Sequence, residues 1–169
     1  MNKQDSIQLK LLPALQECSQ HQKRLHSAWQ EAMNFAAIKH PAVQNLSDEE
    51  VRTLDQLVFR FGKLQDAIGT RLLPAMLQIL QEWQESDAFL DKLNRAEKMG
   101  ILPSVEQWLL LRELRNQTAH EYPEHPEVIL ANLRHIVAHA PLLEKTFTQI
   151  ADAANTRILH PAQTNHGQG

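Results

Sequence analysis

The 169-residue chain is short of the residues that define several protein classes. It holds one cysteine, Cys18, so no disulfide can close within the chain and no thiolate cluster can hold zinc. A reduced, cytoplasmic setting is the economical expectation. The opening residues, MNKQDSIQLK, are polar and include an acid, which does not fit a secretory signal. No apolar run approaches the roughly 20 residues needed to cross a bilayer. There is no excess of positive charge: 17 Lys and Arg face 20 Asp and Glu, a net charge of −3. A nucleic-acid binder usually carries a basic face, so affinity for RNA should be modest. The five glycines form neither G-x-G-x-x-G nor G-x-x-x-x-G-K, so no loop of either kind cradles phosphates. The chain shows no internal repeat and no low-complexity segment.

What is abundant is Leu, Gln, Ala and Glu, which favour helix over strand. A first helical pattern covers roughly 6–37, with Leu11, Leu15, Cys18, Leu25, Trp29 and Met33 near helical spacing. Pro13 is a candidate start, and Pro41 ends the pattern by pushing its predecessor out of the helical region. Ser47 and Glu50 then have the spacing of a capping box. The stripe that follows is the cleanest in the chain: Leu54, Leu57, Val58, Phe61, Leu64, Ile68, Leu72 and Met76, continuing to Trp83. Pro74 predicts a kink or split near 69–74. A shorter helix is expected over 87–99, stopping at Gly100. A fourth starts near Pro103 and ends at or before Tyr122, because Pro123 follows. A fifth runs over about 126–153 with a bend at Pro141. The expected fold is all-α, an up-and-down bundle of four to five helices over 1–155, with 156–169 a flexible C-terminal tail.

The chemistry concentrates in LLLRELRNQTAHEYPEH, residues 109–125. Arg115 and Tyr122 lie seven apart and share a helix face; Asn116 and His120 lie four apart on the adjacent one. Arg115 and His120 diverge by about 140° on a straight helix. They converge only if the arginine stem reaches round or the last turn unwinds, and Pro123 favours unwinding. A guanidinium, an imidazole and a phenol at one edge suit a phosphodiester. Histidine takes or gives a proton near neutrality, and arginine presents a planar fork to phosphate oxygens. The 2′-hydroxyl of RNA is an internal nucleophile, so this chemistry needs no metal. The bland reading is a helix C-terminus dressed with cations that complement its dipole.

The segment RNQTAHEY resembles the R-x4-H-x-Y signature of HEPN domains, specifically HepT-like toxins and nucleotidyltransferase-associated helical proteins. Arg115, His120 and Tyr122 fall on its three defining positions. FRFGKLQDAIG, residues 59–69, is similar to the second-helix segment of these proteins. The resemblance implies a homodimer in which two motifs line one cleft. It also implies a metal-independent endoribonuclease toxin without cofactor, cleaving RNA and neutralised by a cognate minimal nucleotidyltransferase antitoxin. His120 would be the general acid/base, Arg115 the stabiliser of phosphate charge, Asn116 an orienting residue and Tyr122 the residue modified with AMP. The alternative is a non-catalytic helical partner that helps a nucleotidyltransferase present its substrate.

Other residues are weighed against plain structural roles. Lys63 and Asp66 are three apart and read either as an exposed ion pair or, for Asp66, as a group orienting Arg115 or His120. His135 and His139 have metal-ligand spacing but no evident third ligand. Trp29, Trp83 and Trp108 read as core, with a stacking platform as the other use. Lys92, Arg95 and Lys98 recur every third residue, a solvated face or a phosphate-guiding strip.

Overall fold

The computed structural model describes residues 1–118 and 126–162, and all regular structure among them is helical. Helix α1 (Lys3–Ser6) opens on Asn2, whose side chain accepts from the Asp5 N–H at 2.8 Å. It runs through a wide π-helical turn, Ile7–Leu11, into α2 (Leu12–Ala32). The rod therefore starts before the expected Ser6 and ends before Ala37. Pro13 lies inside it rather than at its start. A proline lacks the N–H of the helical ladder and its ring clashes with the carbonyl four residues back. Here the residue before it solves the conflict: the Leu12 N–H reaches the Ile7 carbonyl five residues back.

The same device recurs. The expected split at 69–74 is a π-helical turn, Ile68–Leu72, in which the Leu73 N–H reaches the Ile68 carbonyl just before Pro74. A third π-turn, Asn155–Leu159, precedes Pro161. The first two turns pack against each other, and each runs into the same four residues: Leu11-Leu12-Pro13-Ala14 and Leu72-Leu73-Pro74-Ala75. This short repeat escapes a search for longer periodicity.

After α2 come the short α3 (Ala36–Lys39) and then α4 (Asp48–Ala67), which starts on the expected capping box. The Glu50 N–H donates to Ser47 Oγ at 3.1 Å, and the Ser47 N–H to Glu50 Oε2 at 3.0 Å. α4 continues through its π-turn into α5 (Leu73–Ile79). α6 (Phe89–Lys98) stops before Gly100, whose φ of 72° is the left-handed conformation that ends a helix. α7 (Val105–Thr118) and α8 (Pro126–Ala154) complete the set, α8 passing through Pro141. Helical backbone then persists to Leu159, and Ile158 is buried. The aperiodic tail expected from residue 156 is thus corrected: apolar burial of Ile158 holds the segment 156–159 on the body.

Side-chain pairs fix the packing directions. From Lys10–Gln78 through Glu17–Arg71 and His21–Arg60 to Glu31–Thr53, rising numbers on one rod meet falling numbers on the other. α2 and α4 are therefore antiparallel. Gln22 meets Thr148 while Trp29 Nε1 donates to the Val137 carbonyl, so α8 also runs against α2. α7 runs against α4, with Trp108 at Gly69 and Arg115 at Gly62. The order is up, down, up, down, with α4 touching the other three long helices. Leu54, Leu57, Phe61, Leu64, Ile68 and Leu72 form the buried spine of α4 and its π-turn, as the stripe predicts.

Candidate functional site

Helices α4 and α7 leave a shallow groove of about 210 Å³ between their outer edges. Gly62 leaves its floor bare, and the Arg115 side chain crosses there, its Cγ 3.8 Å from where a Cβ on Gly62 would stand. Arg115 and Thr118 line it from α7; Phe59, Lys63 and Asp66 line it from α4.

The guanidinium of Arg115 is held in a two-point fork by Asp66. Nε donates to Oδ1 at 3.1 Å and Nη2 to Oδ2 at 2.9 Å. Both side chains are partly open, 34% for Arg115 and 42% for Asp66, so the pair adds little to stability and much to orientation. An arginine has five N–H donors, and this fork uses two. The structure thus joins Asp66 to Arg115 across the two helices. Lys63 does not take the expected place beside Asp66; its ammonium lies 5.5 Å from the ring centre of Phe59.

Asn116 is exposed on the face beside the groove. His120 and Tyr122 lie outside the described residues, as does the expected end of this helix before Pro123. Thr118 closes the described part of α7, its hydroxyl donating to the Arg115 carbonyl at 2.8 Å.

Behind the groove is a polar contact between α2 and α4 that spacing alone did not suggest. Arg60 Nη1 lies 2.9 Å from His21 Nδ1. The arginine is the donor, so Nδ1 accepts and the imidazole is neutral in this arrangement. Burial lowers the His21 pKa below its usual value, and the neighbouring Arg60 adds to this against the opposing pull of Glu17. Glu17 in turn pairs with Arg71 at 2.7 Å. Arg60 is thereby anchored on one side, and its guanidinium carbon sits 5.3 Å from the Phe59 ring centre.

Phe59, 53% exposed, is an aromatic that helical periodicity does not single out. Its signal was there: it stands one residue off the apolar stripe, between Val58 and Arg60, where a core residue has no place. The tryptophans are not platforms in this groove. Trp108 is fully buried, Trp29 is tied to the Val137 carbonyl, and Trp83 is covered by Lys92, whose Nζ lies 3.8 Å from its ring centre.

That contact also removes Lys92 from the proposed strip on α6, where it is buried. Arg95 leaves it too, bonded to Asp87 Oδ2 at 2.7 Å and to the Glu82 carbonyl at 2.8 Å. The His135–His139 pair is a local contact, with His139 Nδ1 2.7 Å from the His135 carbonyl oxygen. Among the described residues no group of three His, Cys, Asp or Glu could hold a metal ion. Nor is any described helix long and apolar enough to cross a membrane. No protein-family model matches the chain, and no curated protein or solved structure matches it significantly.

Proposed function

We propose that this chain is a metal-independent endoribonuclease of the HepT-like HEPN kind, with Arg115 as its phosphate-gripping residue. The observation that supports the reading is the Asp66 fork. It fixes a guanidinium about one-third exposed in the groove, five residues ahead of His120. A cation held this way is pre-aimed, which is what stabilisation of developing charge on phosphorus requires. In the proposed step the 2′-oxygen of a ribose attacks phosphorus while His120 takes its proton. The P–O5′ bond breaks, and a proton is returned to O5′. The products are a 2′,3′-cyclic phosphate and a 5′-hydroxyl. Arg115 carries the charge on the phosphoryl oxygens, and Asn116 helps orient the substrate.

The chain would act as a homodimer, with two motifs sharing one cleft and so doubling the positive charge there. A cognate minimal nucleotidyltransferase antitoxin would silence it by attaching AMP to Tyr122. The added phosphodiester is negative and bulky and repels RNA from Arg115. Expression of the chain is expected to arrest growth and degrade RNA. His120→Ala and Arg115→Ala should each relieve both effects, with loss of the general base costing about 10² to 10⁴-fold in cleavage. Degradation that continues in both variants refutes the assignment.

One observation favours the second reading, a non-catalytic helical partner of a nucleotidyltransferase. Leu109 and Leu110 on α7 are about two-fifths exposed, and Phe89 and Leu90 on α6 are similarly open, a run of apolar surface suited to a protein partner. Intact RNA in the presence of the pure protein, with stable co-purification of the transferase, selects that reading.

A further inference from the structure

The groove beside Arg115 contains more than a phosphate grip. Phe59 exposes over half its surface on the solvent side of α4, which no core role explains. Two cations lie over the ring at long range, Arg60 at 5.3 Å and Lys63 at 5.5 Å from its centre, against 3.8 Å for the Lys92 ammonium that covers Trp83. Arg60 is pinned by His21 and Lys63 lines the same groove as Arg115. The charged residues that line the groove, Lys63, Arg115 and Asp66, sum to a formal +1 on a chain whose net charge is −3. An exposed aromatic ring, the Lys63 ammonium and a guanidinium held in place by Asp66 share one groove, the elementary pattern of a seat for one unpaired nucleotide. The base stacks on the ring and the phosphates meet the cations.

We infer that Phe59 is a base-stacking seat for single-stranded RNA, placed on α4 so that a nucleotide beside the phosphate held by Arg115 lies on its ring. The inference rests on the ribonuclease reading for the identity of that phosphate, but Phe59 is not itself assigned a chemical step. The seat accepts an unpaired base, because only an unpaired base has a free face to offer. It also supplies what the acidic chain otherwise lacks: affinity drawn from stacking rather than from net charge.

The test uses full-length protein carrying His120→Ala, so that RNA stays intact, and a fluorescent single-stranded 12-nucleotide RNA of mixed sequence. Phe59→Ala is expected to weaken binding about 5- to 150-fold, the range that removal of one stacked base produces. Phe59→Trp should restore it. The salt dependence should be unchanged in Phe59→Ala but should lose about one unit of slope in Lys63→Gln, which removes a phosphate contact. Because Phe59 is exposed, thermal unfolding of Phe59→Ala should match the parent and show that the fold is kept.

Unchanged binding in Phe59→Ala overturns the inference. So does a loss of binding that Phe59→Trp does not rescue. A Phe59→Ala variant that binds RNA normally but no longer sediments as a dimer makes the ring a contact between copies, and the inference falls. The two readings fail separately. Stacking-dependent binding by a protein that never cleaves RNA removes the nuclease and keeps the seat. Cleavage that needs Arg115 but not Phe59 removes the seat and keeps the nuclease.

Discussion

Two glycines on one helical rod carry opposite predictions, and both bear on how α7 is set against α4. A Cβ on Gly69 would stand 3.1 Å from Trp108 Cζ2, and Trp108 is fully buried and has no room to retreat. Gly69→Val is expected to lower stability by about 1–3 kcal/mol through overpacking, read as a lower denaturation midpoint. At Gly62 a Cβ meets only the Arg115 stem at 3.8 Å, an ordinary contact. Gly62→Ala should therefore raise stability by roughly 0.5–1 kcal/mol, the helix-propensity gain. Asp66→Ala lies between these, changing stability by no more than about 1 kcal/mol because the pair is largely solvated. Cleavage should fall far more than that, since Arg115 loses its aim. His21 adds a pH dependence. Its folded pKa is depressed, so stability is full above the unfolded value of about 6.5 and is lost as pH falls through the folded value. Urea midpoints measured from pH 7.5 down to 5 should drop more for the wild type than for His21→Gln. Equal slopes would show that the Arg60 contact does not constrain the imidazole. The sequence pointed to Arg115 and Asp66 by type and spacing. It could not point to His21–Arg60, because those residues lie 39 apart and meet only when two helices pack.

At the scale of elements, starts and stops were legible where a side chain closes on its own backbone. The box of Ser47 and Glu50 is local and appears as expected; Ser47→Ala should cost about 0.5–2 kcal/mol, measurable as a shift in thermal midpoint. Gly100 is local as well. What was not legible is how a helix absorbs a proline. Pro13 and Pro74 read as a start and a break, whereas each rod passes them by widening one turn, and the buried residues on either side keep the two halves aligned. Burial far along the chain also decided the last turn, where Ile158 reaches the core and extends the helix past the point at which periodicity fades.

At the scale of the whole molecule, the alternation of up and down helices followed from short connections and one-sided stripes, and was readable. The direction of each polar cluster was not, because it depends on which edges of α4 and α7 meet. Cys18 reports on the integrity of the bundle. It is fully buried, and burial pushes its thiol up to about 12. A thiol reagent at pH 8 should modify it only when the bundle opens, so the labelling rate should rise steeply with urea and track global unfolding. Whether Arg115 grips a phosphate is tested most directly by one assay: cleavage of single-stranded RNA by the pure protein in EDTA, wild type against Arg115→Ala. Fragments ending in 2′,3′-cyclic phosphate are expected from the wild type, and their loss with Arg115→Ala. Fragments formed equally by both proteins, or RNA left whole by the wild type, would contradict it.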